Sequence, residues 1–159
     1  FMALLAAFQT LLYRYSNQDD FCVGTAIDNR KSSETDALIG IFINTLVLRA
    51  NLAGNPSFRE LLGRVREVAL AAYAHQDLPF EKLVEELQPE RNLSHNPFFR
   101  VVFVLWNAPM PDLKLGDLSL SSLDIHSTTS RFDLTLGVAD TQQGLLGSFE
   151  YNKDLFDDN

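Results

Sequence analysis

The chain is short of three things that would point to particular functions. Its 159 residues hold a single cysteine, Cys22. One thiol cannot close an internal disulfide, and no Cys-x-x-Cys or paired-His spacing accompanies it, so no zinc framework is expected. The plain expectation for Cys22 is a small apolar residue within a strand. Positive charge is also scarce: 13 Lys and Arg against 21 Asp and Glu give a net charge of −8 and a pI near 4.7. The basic residues are scattered, so neither phosphate backbones nor anionic lipid have a patch to bind. Finally, no apolar run approaches the roughly 20 residues of a membrane span. The opening Phe1-Met2-Ala3-Leu4-Leu5 has no basic flank of the kind that starts a signal peptide. Neither nucleic acid nor membrane is an expected partner, and a cytoplasmic protein is the default expectation.

What the chain has in quantity is core material. Hydrophobic residues make up 46% of it, with 12 Phe, which excludes intrinsic disorder. A chain of this length forms one ordinary domain and buries roughly two-thirds of its unfolded surface. Leu4, Leu5, Phe8, Leu11, Leu12 and Tyr15 recur at helical spacing, with no capping residue ahead of them. The chain is thus expected to begin at the edge of an element belonging to something longer. A turn at residues 16–20 leads to a strand from Phe21 to Ala26, a polar loop from Asp28 to Thr35, an apolar lead-in and a strand from Ile43 to Leu48.

Ser57-Phe58-Arg59-Glu60 has the capping-box form, a Ser with a Glu three residues on. Phe58, Leu61, Leu62, Val65, Val68, Ala69 and Ala72 then keep helical period. A second helix follows Pro79, with Phe80, Leu83, Val84 and Leu87 on one face, and Pro89 stops it. From Arg100 the period becomes that of strands. Val101 to Trp106 is a near-continuous apolar run, Leu118 to Ile125 suggests another strand, and two alternating stretches flank Thr141-Gln142-Gln143-Gly144 as a hairpin. Residues 154–159 read as the approach to a further helix. The fold class expected is α/β, a two-layer sandwich of mixed β-sheet with packed helices.

Three segments carry the functional signal. In Ile39-Gly40-Ile41-Phe42-Ile43-Asn44-Thr45-Leu46-Val47-Leu48-Arg49, Gly40 would permit a close approach or an unusual dihedral before a strand. Phe42 and Ile43 would anchor that strand in the core. Thr45 and Arg49 read as structural. Asn44, a polar residue in an otherwise apolar stretch, has as one open role satisfying a backbone group at a bend. In His75-Gln76-Asp77-Leu78-Pro79-Phe80-Glu81, the histidine beside an acid suggests a general base, but its position argues for a junction. His75 falls at the end of a helix, where a cation suits the dipole, and Asp77 is placed to cap the next helix. In Arg91-Asn92-Leu93-Ser94-His95-Asn96-Pro97, Asn96-Pro97 is a turn signal before a strand.

In this order and spacing, the three segments resemble the last three signature motifs of nonribosomal peptide synthetase condensation domains, of the chloramphenicol-acetyltransferase-like superfamily. Arg131-Phe132-Asp133-Leu134 and Glu150-Tyr151-Asn152 to Phe156 resemble the strand pair near the end of such domains, so the likeness spans residues 1–159. It implies a C-terminal lobe, truncated at both ends, facing an N-terminal lobe across a substrate tunnel. The family's catalytic His-His-x-x-x-Asp-Gly motif lies upstream and is absent from these residues. The resemblance therefore implies no catalytic residue in this chain and no activity by the lobe alone.

The resemblance further implies that Asn44 stands near the tunnel and that Ser127 to Ser130 lie where a segment crosses between lobes. Ser130 is a candidate tunnel residue there, with a solvated strand end as the alternative. The remaining motif positions are expected to be architectural: Gly40, Phe42, Thr45, Arg49, His75, Gln76, Asp77, Pro79, Phe80, Glu81, Arg91, Asn96 and Pro97. No cofactor or metal is implied in the chain itself; 4'-phosphopantetheine would arrive on partner carrier proteins. The implied partners are the N-terminal lobe, peptidyl and aminoacyl carrier proteins, and an adjoining adenylation domain. The motif forms resemble ordinary condensation domains rather than epimerisation or heterocyclisation ones. A free-standing acyltransferase using coenzyme A thioesters and a non-catalytic carrier-docking module are the alternatives.

Overall fold

The computed structural model describes residues 1–30, 33–36, 38–89, 96–106, 129–141 and 144–157. The elements run α1 (Met2–Ser16), β1 (Asp20–Asp28), α2 (Ser33–Asp36), β2 (Ile43–Asn51), α3 (Phe58–Ala74), α4 (Phe80–Leu87), β3 (Val101–Trp106), β4 (Leu134–Thr141) and β5 (Gly144–Tyr151). The strands form one mixed sheet in the order β2-β1-β3-β4-β5. β1 pairs antiparallel with β2 and parallel with β3; β3 and β4 are parallel, and β4 and β5 antiparallel. This is the α/β arrangement expected from the change of period along the chain. The strand expected over Leu118 to Ile125 and the motif residue Arg91 lie outside the described residues. Among the described residues, no helix is long and apolar enough to cross a membrane.

The core lies between one sheet face and helices α1 and α3. Alternate residues of a strand share a face, so Leu46, Leu48 and Ala50 of β2 point inward with Val23, Phe103 and Val138 of β1, β3 and β4. Leu5, Ala6 and Phe8 of α1 and Leu61 and Val65 of α3 close over them. The capping box forms: the Ser57 hydroxyl accepts from the Glu60 amide at 3.3 Å, and Glu60 Oε2 accepts from the Ser57 amide at 2.8 Å.

Several expectations change. Ile43 is 65% exposed and Phe42 only half-buried, so neither anchors β2 in the core. Ile43 pairs with Asp28 at the strand's outer end, and Phe42 lies under the Arg30 guanidinium, 4.1 Å from its ring centre. Gly40 has no positive φ, and a β-carbon there would make only an ordinary 3.4 Å contact with Phe42, so it meets no close approach. The polar loop after β1 contains the one-turn helix α2. On the α1 face read as apolar, Tyr15 is 88% exposed, while Gln9 is buried.

Candidate functional site

The end of α3 sets the geometry. His75 is its C-cap, is exposed, and donates its backbone N–H to the Ala72 carbonyl at 3.1 Å. A tight turn follows, with the Leu78 N–H on the His75 carbonyl at 3.0 Å. Pro79, not Asp77, is the N-cap of α4, and its extended backbone starts the helix without a capping side chain. Glu81 in the first turn complements the helix dipole.

Asn44 supplies what Pro79 cannot. Its Oδ1 accepts from the Phe80 amide at 3.3 Å and from the Thr45 amide at 2.9 Å. Its Nδ2 donates to the carbonyls of Gln76 and Leu78, both at 2.8 Å. Of the two roles open to Asn44, these bonds describe the backbone-satisfying one, although three of the four partners, Gln76, Leu78 and Phe80, lie 32 to 36 residues away. Around this junction is a cavity of about 360 Å³, lined by residues 41–45, Asn29, Asp77, Pro79, Phe80 and Glu81.

Aromatic rings draw the other motif segments to the same place. The Phe80 ring stands 6.0 Å from Phe98 and 5.9 Å from Phe99, and Phe99 stands 5.6 Å from Phe132. Asn96 positions the two rings after it, its Oδ1 accepting from the Phe98 amide at 3.1 Å and the Phe99 amide at 3.3 Å. Pro97 is exposed in that turn. The segments around Asn44, Phe80, Asn96 and Phe132 thus converge.

Arg49 does not join them. It makes a bidentate pair with Asp20 across β1 and β2, and its guanidinium holds the Asp20 carboxyl below the usual range. Ser130 donates to the Phe132 carbonyl and is not among the residues lining the Asn44 cavity. Thr45 pairs with Ala26.

A second cavity, of about 560 Å³, opens where α1 ends and β1 and β3 begin, and Cys22 lines it with Asp20, Arg100 and Asp133. Burial pushes the Cys22 thiol up, which disfavours the nucleophilic thiolate. Among the described residues, no group of three His, Cys, Asp or Glu side chains could hold a metal ion.

Sequence reading offered Asn44 a backbone-satisfying role without naming its distant partners, and it missed the Arg30–Phe42 stack. The only local signal for the first was a polar residue in an otherwise apolar stretch, and nothing marked the second.

The comparison with protein families decides what such an arrangement belongs to. The condensation-domain model matches residues 1–159. The chain belongs to the condensation-domain family. It is 60% identical to one of the linear gramicidin synthase proteins of Brevibacillus parabrevis over 159 residues, which is 99% of this chain and 3% of that protein. Among solved structures, the X-domain in complex with OxyB from teicoplanin biosynthesis matches 99% of the chain at 27% identity and a TM-score of 0.85; the match covers 35% of that structure. The four-domain nonribosomal peptide synthetase AB3403 matches 99% of the chain at 22% identity and a TM-score of 0.88, which shows the shared fold over 13% of its length.

Proposed function

We propose that this chain is the C-terminal lobe of a condensation domain that joins carrier-tethered aminoacyl or peptidyl thioesters through an amide bond. The carrying observation is the family match over residues 1–159, together with 60% identity to a linear gramicidin synthase protein. The share of the X-domain structure that the chain spans supports reading it as one part of a larger domain. In this reading an N-terminal lobe completes the tunnel and brings the catalytic histidine. Carrier proteins deliver the substrates on 4'-phosphopantetheine, and an adenylation domain adjoins.

The acceptor α-amine attacks the donor thioester carbonyl, and the thiol of the donor arm leaves. Bringing two tethered reactants together supplies much of the rate, and polar groups around the tetrahedral intermediate supply more. Asn44 and Ser130 would stand along the tunnel, Asn44 as wall rather than substrate ligand because its carboxamide is bonded to backbone. His75 ends a helix and takes no part in proton transfer.

The test is thioester-to-amide transfer between two loaded carrier proteins, read by intact-protein mass spectrometry. The chain alone is compared with the domain extended upstream through its histidine motif. Transfer only by the extended protein, lost when the motif histidine becomes alanine, supports the half-enzyme reading. Transfer by the short chain would overturn it. A second reading, a docking module, gains from the X-domain match, because that neighbour is in complex with another protein. Silence from both proteins with intact carrier binding would favour it.

A further inference from the structure

We propose that Asn44 is a positioning residue for amide-bond formation, its carboxamide latching the turn at residues 76–80 to the start of β2. The proposal rests on the condensation reading above and adds to it a residue that acts without touching substrate. A carboxamide offers two donors and two acceptor lone pairs. Nδ2 spends both protons on the Gln76 and Leu78 carbonyls at 2.8 Å. Oδ1 takes the Thr45 and Phe80 amides at 2.9 and 3.3 Å. Nothing is left over for a ligand.

The latch has a reason to sit here. Pro79 brings no N–H and no capping side chain, so the first amide of α4 needs an outside acceptor. None of the residues of α4 is buried. Packing therefore holds this helix only through half-buried Phe80, Leu83 and Val84, with the Phe80 ring against Phe98 and Phe99. Yet the turn and the first residues of α4 supply Asp77, Pro79, Phe80 and Glu81 to one wall of the 360 Å³ cavity, and residues 41–45 form the other. The two walls are stitched together at Asn44. Displacing one wall by an ångström would misalign whatever the cavity holds, and a misplacement of that size costs about a hundredfold in rate.

Asparagine alone among common residues has the required pattern at this reach. Asp would turn both donors into an acceptor facing two carbonyls. Gln would carry the amide one methylene too far. A protonated Asp, however, regains one donor, which gives the latch a pH signature.

The experiment uses the condensation domain extended upstream through its histidine motif, with Asn44→Ala and Asn44→Asp. Transfer is followed as single turnovers across pH, and amide hydrogen exchange is followed at Thr45 and Phe80. Both variants are expected to slow transfer by about ten- to a hundredfold. The Asn44→Asp rate, relative to wild type, should recover as the buffer goes from mildly alkaline to mildly acidic, while the Asn44→Ala ratio stays flat. In Asn44→Ala the Phe80 and Thr45 amides should exchange faster, with mid-helix amides of α3 unchanged. Wild-type transfer in both variants, unchanged exchange at Phe80, or no pH recovery in Asn44→Asp would overturn the proposal. Exchange is independent of the reaction. A wild-type domain that transfers nothing would overturn the condensation reading, and the exchange result would still decide the latch.

Discussion

The indole of Trp106 lies against the bare Cα of Gly137, so close that a β-carbon there would stand 2.2 Å from its ring. Gly24 has the same relation to Phe99, at 2.3 Å. Both glycines are seats for rings, but the rings differ in their freedom. Trp106 is 50% exposed and can swing outward, whereas Phe99 is 3% exposed and held by Phe80 and Phe132. Overpacking costs about 1 to 3 kcal/mol. Gly137→Ala should sit near the lower end and Gly24→Ala near the upper. Urea unfolding followed by Trp106, the only tryptophan, measures both, and the reverse order would show that the two ring sites are packed differently.

Gln9 of α1 is 1% exposed and its Oε1 has no hydrogen-bond partner among the described residues. A buried acceptor left unpaired costs about 1 to 3 kcal/mol. Methionine has similar length and no such acceptor. Gln9→Met is therefore expected to stabilise the fold by about 1 kcal/mol, read as a higher urea midpoint with unchanged slope. A lower midpoint would mean that Gln9 is bonded after all.

The capping box of α3 predicts an acid-dependent stability. Hydrogen bonds from the Ser57 hydroxyl and then its amide hold the Glu60 carboxyl below its ordinary value. The unfolded chain therefore takes up this proton at higher pH than the folded one. The contribution is present at neutral pH and lost as pH falls below about 4.3, through the lowered folded value. Ser57→Ala removes the hydroxyl but keeps the amide bond. It should cost about 1 kcal/mol at neutral pH, with a shallower loss of stability into acid than wild type. Equal acid slopes in the two proteins would contradict this account.

What could be read from the sequence was what local chemistry controls. The capping box, the helix stop at Pro89 and the hairpin between β4 and β5 depend on neighbours within a few residues, and period separates strands from helices. Asn44 shows the limit. Beyond the adjacent Thr45 amide its partners stand more than thirty residues away, and only the folded turn brings two carbonyls and a second amide within reach. Ile43 shows another: alternation gives which residues share a face, not how far along a strand that face is covered. Asp77 was a sound cap by type, but the chain placed Pro79 at the capping position and drew the acceptor from β2.

The uncovered part of the sheet carries the last prediction. Helices α1 and α3 close over β2, β1 and β3, and the register places Leu145 and Phe149 of β5 on the same face as Leu136 and Val138. Leu145 and Phe149 are nonetheless 59% and 53% exposed. The Phe8 and Phe149 rings stand 6.5 Å apart, so this apolar surface is continuous with the core. Among the described residues β5 is also the last strand of the sheet, with no further strand paired to its outer side. Exposed apolar patches joined to an open edge promote association. The isolated chain should therefore self-associate with rising concentration, and Leu145→Lys together with Phe149→Lys should shift it towards monomer. Sedimentation velocity over a concentration series separates the outcomes: a wild-type chain that stays monomeric throughout shows that this face needs no cover.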